Sequence, residues 1–323
     1  MYNVIIWSDN RPSFPSLTAM KISAFHKKLG DNVKLYKSGW AWDKADVLYK
    51  CKAFSYTDDL LYYPQGVEQV IEGGSGYAIS VENDVECYDA GRDQPLSPEI
   101  ECQYPDYSLY PGFLNTAYGL LSRGCRNNCP FCIVSKKEGL ESKKVADLSN
   151  FWRGQRLIKL MDANLLSCMD RESLLQQLID SNAKIDYVQG LDARFINDDI
   201  AKLVSKTKIS MIHFAFDRLK DEKQVLRGLE IFRNHTNLTD RNRRVYILTN
   251  YETNQEEDWY RAKKVIELGY QPYITIYRKG THSRFVTDLA RWSNNYRINR
   301  KCSFPDYVPR TDGKSCRQLY GIT

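Results

Sequence analysis

Short apolar runs alternate with segments of helical periodicity along most of the chain. In the first third, the apolar runs of strand length are 4–7, 33–36, 45–49 and 68–71. Between the first two runs, residues 16–30 place apolar side chains at helical spacing, and Gly30 is a stop signal. This order of elements predicts a small α/β domain over residues 1–90.

The same alternation resumes after a connector, residues 91–112, in which scattered prolines leave little room for regular structure. Beyond it the predicted strands are 117–121, 157–161, 185–189, 209–216, 244–249 and 272–277. The predicted helices between them are 171–181, 198–206, 221–235 and 256–268. We therefore expect six strand-and-helix units over residues 113–280, followed by a helical and basic extension over residues 281–323.

Composition narrows the class of protein. A hydrophobic content of 42% with 12% aromatic residues is enough for real cores. No apolar run is long enough to span a bilayer, and the N-terminus lacks the basic and apolar regions of a secretion signal. We expect a soluble cytoplasmic protein with no membrane partner. Nine cysteines in that compartment indicate metal ligands and thiols rather than disulfides.

Three of these cysteines stand close together after the first strand of the second region, and a strand's carboxyl end is where barrel enzymes keep their chemistry. Cys125, Cys129 and Cys132 have the spacing C-x3-C-x2-C. Zinc would need a fourth Cys or His, and the chain has no other between residues 117 and 162. Three thiolates hold three irons of a four-iron cluster, whereas an electron-transfer ferredoxin uses a fourth thiolate. The spacing therefore predicts a 4Fe-4S cluster with one open iron.

This motif resembles the signature of the radical S-adenosylmethionine (radical SAM) enzymes. The resemblance implies a partial (β/α)6 barrel, a count that the predicted units match, and S-adenosylmethionine bound to the open iron. It implies reductive cleavage of that cofactor to a 5'-deoxyadenosyl radical, which abstracts hydrogen from a substrate that the motif leaves open. A small reductant protein, flavodoxin or ferredoxin, is the implied partner. The stretches 187–194, 251–261 and 291–295 also resemble small, mostly uncharacterised radical SAM proteins, some of them phage-associated.

The resemblance assigns the methionine end of the cofactor to residues at two strand ends. Asp162 and Asn164 follow the second strand, where the family receives the methionine ammonium. Arg194 follows the third strand, where an arginine pairs with the methionine carboxylate. The alternatives are helix capping for Asp162 and Asn164, and a structural ion pair with Asp192 or Asp198 for Arg194.

The nucleoside end is assigned in the same way. Phe131, just before the third cysteine, is the expected partner of adenine. Asp217, at the end of the fourth strand, is expected to accept hydrogen bonds from ribose hydroxyls, and Asn250, after the fifth strand, lies in the region that contacts adenine in the family. Capping or turn formation is the alternative for Asp217 and Asn250.

The first domain resembles the Rossmann-like domains that bind cobalamin, with a glycine cluster at residues 73–76. The cobalt-ligand motif D-x-H-x-x-G is absent, since residues 8–15 read SDNRPSFP. His26, the one histidine in the first 200 residues, is predicted to lie on an exposed helix face. We expect a degenerate structural domain, and a cobalamin-dependent radical SAM methyltransferase stays an alternative.

Two further alternatives remain open. Cys51, Cys87 and Cys102 would suit the auxiliary cluster of a methylthiotransferase-like enzyme of RNA modification. Such enzymes have a cysteine soon after the first strand, where this chain has Ser8, and a C-terminal RNA-binding barrel, where residues 285–296 look helical. The non-enzyme alternative is an iron-sulfur electron-transfer protein.

Charge is uneven along the chain. From residue 261 to the end there are thirteen Lys and Arg against four acids. Tyr273, Tyr277, Trp292 and Tyr296 are interleaved with these bases, which suits a rim that holds nucleic acid or a phosphate-bearing substrate by charge and stacking. The competing interpretation is that the aromatic residues pack the last helix while the bases are solvated.

Overall fold

The computed structural model describes residues 1–9, 14–36, 43–82, 85–278, 280–309 and 313–323. Residues 10–13, on which part of the argument about the cobalt motif rests, lie outside the described residues. The chain is a mixed α/β protein with two parallel sheets. It divides into two compact units. The first contains Met1–Gly119, Asn127–Leu140 and Ala146–Ile158, and the second contains Leu120–Arg126, Glu141–Val145 and Lys159–Thr323.

The N-terminal sheet confirms the four predicted strands. Its elements are β1 (Asn3–Ser8), α1 (Leu17–Lys28), β2 (Asn32–Leu35), β3 (Val47–Cys51) and β4 (Gln69–Gly73). All pairings are parallel, in the order β2-β1-β3-β4. Ser16 is the N-cap of α1, and its hydroxyl accepts a hydrogen bond from the backbone N–H of Ala19. Val4 and Ile6 of β1 pack in one core with Ile22 of the helix.

His26 is buried, so the prediction of an exposed position was wrong. It is 8% exposed, and its Nδ1 and Nε2 atoms each lie 2.9 Å from a partner, Asp31 Oδ2 and Tyr49 Oη respectively. Helical spacing shows which residues share a face of the helix, but it does not show which other elements of the fold cover that face. Here Asp31, just beyond the helix, and Tyr49 of β3 close over the ring.

The glycine cluster serves close packing within the first unit. At Gly74 a Cβ atom would collide with the carbonyl of Lys52, and at Gly76 it would crowd Lys52 and the Phe54 carbonyl. Gly74 also has a φ of 107°, which side-chain-bearing residues rarely adopt. The packing of the loop after β3 is therefore a sufficient reason for glycine at these positions.

The elements that follow the first sheet and precede the second in the chain are short. They are α2 (Ser75–Ala78), the antiparallel pair β5 (Ile79–Glu82) and β6 (Val85–Tyr88), and α3 (Pro98–Glu101). Within the predicted connector, Tyr107 is buried, and its hydroxyl donates to the carbonyl of Phe151 at 2.7 Å and accepts from the N–H of Tyr118 at 3.0 Å. A proline-rich stretch is thereby anchored through one aromatic side chain.

The elements that follow carry the larger sheet. In chain order they are β7 (Thr116–Gly119), β8 (Ser122–Arg123), α4 (Val134–Glu138), β9 (Lys143–Lys144), β10 (Leu157–Leu160), α5 (Arg171–Ser181), β11 (Lys184–Leu191), α6 (Asp198–Lys206), β12 (Lys208–Ala215), α7 (Glu222–Asn234), β13 (Arg243–Thr249), α8 (Gln255–Glu267), β14 (Gln271–Ile276), α9 (Arg284–Asn294), α10 (Tyr296–Asn299) and α11 (Cys316–Tyr320). The predicted strands and helices are confirmed, with bounds that shift by at most two residues.

The six strands of this sheet neighbour one another in chain order, β7-β10-β11-β12-β13-β14, and the pairings among β11, β12, β13 and β14 are parallel. In β13, Val245 and Ile247 are fully buried, whereas Arg244 and Tyr246 keep part of their surface exposed. This alternation gives β13 one buried face and one partly exposed face, which carries Arg244, Tyr246 and Leu248. Among the described residues, no helix is both long enough and apolar enough to cross a lipid bilayer.

The first strand of this sheet is shorter than predicted. It was expected to continue to Leu121, but β7 ends at Gly119, and Ser122 pairs in an antiparallel ribbon with Lys144 of β9. The N–H groups of Leu121 and Ser122 donate to the Asp162 carboxylate. Because a side chain takes these two donors, the strand cannot continue its ladder.

Candidate functional site

The motif cysteines lie in the loop that joins β8 to α4. Cys125 belongs to the second unit, and Cys129 and Cys132 belong to the first. Each of the three is partly exposed, and the N–H of Cys132 donates to the carbonyl of Cys129 at 3.0 Å. All nine cysteines are within the described ranges, and none of them is in a disulfide. The thiols of the motif are thus outside disulfides and keep part of their surface exposed.

Asp162 organises the entry to this loop. Its carboxylate accepts hydrogen bonds from the N–H of Leu121, from the N–H of Ser122 and from the Ser122 hydroxyl, at 2.5–3.1 Å. Burial raises the pKa of this carboxyl to about 6, although the same donors favour the charged form. Asp162 therefore positions the segment that leads to Cys125. Its expected contact with a methionine ammonium stays a prediction.

Asn164 stands beside the first cysteine of the motif. It is 2% exposed, and its Nδ2 atom lies 3.4 Å from Cys125 Sγ and 3.3 Å from Asp192 Oδ2. The hydroxyls of Ser142 and Ser167 donate to the Asn164 carbonyl and hold the backbone. Its Oδ1 atom is buried and has no hydrogen-bond partner among the described residues. A buried amide oxygen left in this way is an acceptor available to a ligand.

Arg194 belongs to a network of polar and charged side chains that also includes Asn164. Asp192 caps the short 3-10 turn after β11, and its two carboxylate oxygens accept from Arg194 Nε at 2.8 Å and Nη2 at 2.9 Å. Arg194 Nη1 also lies 3.4 Å from Asp221 Oδ2, which pairs with Arg218 Nη2 at 2.7 Å. The ion pair with Asp192 is thus present, while Asp198, the other alternative, pairs elsewhere. The guanidinium is oriented before any ligand binds.

Asp217 and Asn250 sit at the ends of β12 and β13. Asp217 keeps some exposed surface, yet its carboxyl is deep enough that burial raises its pKa to about 6, and it accepts a hydrogen bond from Leu248 N at 2.9 Å. Asn250 has a left-handed φ of 63°, and its amide donates to the Tyr277 carbonyl at 2.7 Å. The Asp217 side chain is therefore tied to β13, and the Asn250 side chain to the residue that follows β14. Phe131 is partly exposed in the first unit, and the nucleoside roles of all three residues stay predictions.

Two features of this rim were missed from sequence. Asp221 and Arg218 complete the charge network, and only their spacing of three residues hinted at a pair. Arg261 is fully buried and donates to the carbonyls of Phe216, Asp217 and Leu248 and to the Asp258 carboxylate, at 2.6–3.1 Å. It therefore holds together the ends of the two strands that carry Asp217 and Asn250. An Asp-x-x-Arg pair on a helix looks the same in sequence whether it is solvated or buried.

The test for a preformed metal site is negative. In the part of the chain that the structure describes, no group of three or more His, Cys, Asp or Glu side chains is arranged to hold a metal ion. This includes Cys51, Cys87 and Cys102, of which Cys51 is buried and Cys102 is exposed. The chemistry of the motif still fits an iron-sulfur cluster, since it has three thiols outside disulfides and a buried amide donor at Cys125. Metal binding and local folding are coupled, so a loop without metal need not hold the bound arrangement.

Comparison with known proteins does not assign the chain to a family. No protein-family model matches the chain, and no curated protein matches it.

Proposed function

We propose that this protein is a radical SAM enzyme whose second region is a partial (β/α)6 barrel. The fold supports the proposal in one respect. Six strands that neighbour one another in chain order, with helices between them, have the strand order that such a barrel requires, whereas a doubly wound sheet reverses its order at a switch point. The first unit, with the order β2-β1-β3-β4, has that reversal and supports a Rossmann-like assignment.

The observation that carries the proposal is the position of Asn164. This residue follows β10, is buried, and places its amide donor 3.4 Å from Cys125 Sγ. Hydrogen bonds to the ligating sulfurs tune an iron-sulfur cluster. The same side chain has a buried oxygen without a partner among the described residues, which suits the ammonium of a methionine group. One residue thus has a group for the cluster thiolate and a group for the cofactor.

The remaining roles are those that the resemblance to radical SAM enzymes implies. Cys125, Cys129 and Cys132 would ligate the cluster, and Arg194, oriented by Asp192, would bind the methionine carboxylate. Phe131, Asp217 and Asn250 would line the nucleoside end. When bound, the cluster and S-adenosylmethionine supply the electron and the 5'-deoxyadenosyl radical. The protein binds and orients both, and a flavodoxin or ferredoxin would deliver the electron.

Cluster content tests the first part of the proposal, that the motif cysteines bind a 4Fe-4S cluster. Anaerobic reconstitution should give one 4Fe-4S cluster per chain, and a variant with Cys125, Cys129 and Cys132 changed to Ala should have none. The matched control changes Cys87, Cys102 and Cys302 to Ala, which also removes three cysteines that retain exposed surface, and it should keep the cluster. Equal iron and sulfide in both variants, or stoichiometric zinc in the native protein, contradicts the proposal.

Turnover tests the second part of the proposal, that the protein cleaves S-adenosylmethionine, and distinguishes the alternative functions. After reduction with dithionite, the reconstituted protein should release 5'-deoxyadenosine and methionine from S-adenosylmethionine. An electron-transfer protein would contain the cluster and release neither. Stimulation by added cobalamin would favour the methyltransferase alternative. Two clusters in the native protein, one of which is lost in each triple variant, would favour a methylthiotransferase with an auxiliary cluster.

A further inference from the structure

A pocket in the second unit lies outside every residue that the proposed radical chemistry uses. Its volume is about 600 Å³, and it is lined by one side of α8, by Trp292 of α9 and by the segment 299–305. This volume is within the range of pockets that bind small molecules and cofactors.

One wall of the pocket is aromatic. Trp259 of α8 is partly exposed, and its ring centroid lies 5.3 Å from that of Phe304 and 6.1 Å from that of Trp292. Trp292 and Phe304 are buried, at 2% and 0% exposure, so Trp292 packs α9 and is not available for stacking. The Nε1 atom of Trp259 donates to the carbonyl of Thr323 at 3.2 Å, which fixes the indole plane. Trp259 is therefore an oriented aromatic face on a buried aromatic support.

The rim of the pocket is basic. Lys263 and Lys301 are exposed and have no ion-pair partner among the described residues, whereas Arg300 pairs with Asp240 at 3.2 Å and Arg317 with Asp306 at 3.3 Å. The Glu267 carboxylate also lines the pocket, and Lys264 binds it at 3.0 Å. The two lysines are thus cations available to an anionic ligand.

A buried donor also lines the pocket. Asn299, the last residue of α10, has a buried Nδ2 atom with no hydrogen-bond partner among the described residues. A buried amide donor without a partner costs free energy unless a ligand or water satisfies it. The pocket therefore combines an aromatic face, two available cations and an unsatisfied donor.

We propose that this pocket binds a nucleotide unit, with the base against Trp259 and the phosphate between Lys263 and Lys301. Base stacking on an aromatic side chain tolerates any base, and lysine binds phosphate as a point charge. The unit has two sources, a free nucleotide or one residue of a single-stranded nucleic acid. The inference does not depend on the radical chemistry, because the apoprotein contains the whole pocket.

Titration calorimetry of the apoprotein at low salt tests the proposal with four probes: uridine 5'-monophosphate, uridine, inorganic phosphate and a short single-stranded oligouridylate. Uridine avoids any adenine site of the proposed cofactor. The monophosphate should bind more tightly than uridine or phosphate alone, because only it uses both the aromatic face and the cations. Similar affinity for the oligouridylate would identify a free nucleotide as the ligand, and much tighter binding of the oligouridylate would identify a nucleic acid.

Two variants tie binding to the pocket. Changing Lys263 and Lys301 together to Gln should weaken binding about tenfold, the effect of losing two exposed charge contacts, and should flatten its salt dependence. Trp259→Leu should weaken it at least about tenfold through lost stacking. The control changes Lys202 and Lys208, two exposed lysines that do not line the pocket, to Gln and should bind as the wild type does.

Three results would overturn the proposal. They are no binding of the monophosphate or the oligouridylate at low salt, phosphate binding as tight as that of the monophosphate, and equal losses in the lysine variant and its control. Thermal unfolding of each variant identifies any loss caused by misfolding, and the lysine variant changes only exposed side chains.

Discussion

At the scale of single residues, the rim of the larger sheet is held by side chains that bind one another before any ligand is present. Arg194 contacts both Asp192 and Asp221, and Asn164 connects Asp192 to Cys125. A guanidinium oriented by a two-pronged carboxylate pair loses less freedom when it binds a further anion. The network therefore gives Arg194 a fixed direction, which a flexible surface arginine would lack.

Arg194→Lys should weaken binding of S-adenosylmethionine to the reconstituted protein by about tenfold or more, because a lysine ammonium cannot form the planar two-pronged pair. Equilibrium dialysis measures the affinity. Arg218→Lys is the matched control, since Arg218 pairs with the same Asp221 and has no predicted cofactor contact. Wild-type affinity in the Arg194 variant, or an equal loss in both variants, would remove Arg194 from the proposed site.

At the scale of elements, the turn that carries Arg194 is positioned by the helix packed on it. The backbone of α7 approaches the 3-10 turn Ala193–Phe195 so closely at Gly228 that an added Cβ would overlap the Ala193 carbonyl oxygen. Because the clash is with backbone, rotation of a side chain cannot relieve it. Helix propensity favours Ala over Gly by about 1 kcal/mol, so the two effects oppose each other and packing should dominate.

Gly228→Ala should lower the free energy of unfolding by about 1–3 kcal/mol, the usual cost of overpacking, and should weaken cofactor binding by shifting Arg194. Urea unfolding measures the first effect. Gly112→Ala is the control, because a Cβ there meets nothing within 4 Å. A Gly228 variant as stable as the wild type would mean that α7 moves away from the turn without cost.

At the scale of the whole molecule, buried titratable groups on the larger sheet make stability depend on pH in opposite directions. Burial lowers the pKa of His213 to about 4, and its ring is stacked on Tyr246 at 4.8 Å. The unfolded chain takes up the proton near pH 6.5, so stability is lost as pH falls from there to about 4. Asp162 and Asp217, with pKa values raised to about 6, favour the folded state at acid pH, and that contribution is lost as pH rises to 6.

His213→Phe keeps the aromatic stack and removes the titrating group, while Asp162 and Asp217 contribute equally to both proteins. At neutral pH the free energy of unfolding of the variant should be lower by about 1 kcal/mol, because the variant lacks the hydrogen bond to the Tyr187 carbonyl. Its further loss of stability between about pH 7 and pH 4.5 should be smaller than that of the wild type by about 2–3 kcal/mol. Urea unfolding at the two pH values checks this. An acid-side loss as large as that of the wild type would show that His213 is not the group responsible.

The sequence by itself determined the alternation of strands and helices in both regions and the spacing of Cys125, Cys129 and Cys132. Periodicity and spacing are local properties, encoded within a dozen residues, so they can be recognised without knowledge of the fold. The tertiary structure alone decided which side chains meet: Asn164 with Cys125, 39 positions earlier, Arg194 with Asp221, and His26 with Tyr49. It also decided that Trp292 is buried while Trp259 lines a basic pocket. Such contacts join elements far apart in the chain, and a side chain's burial and partners depend on what the neighbouring elements place over it.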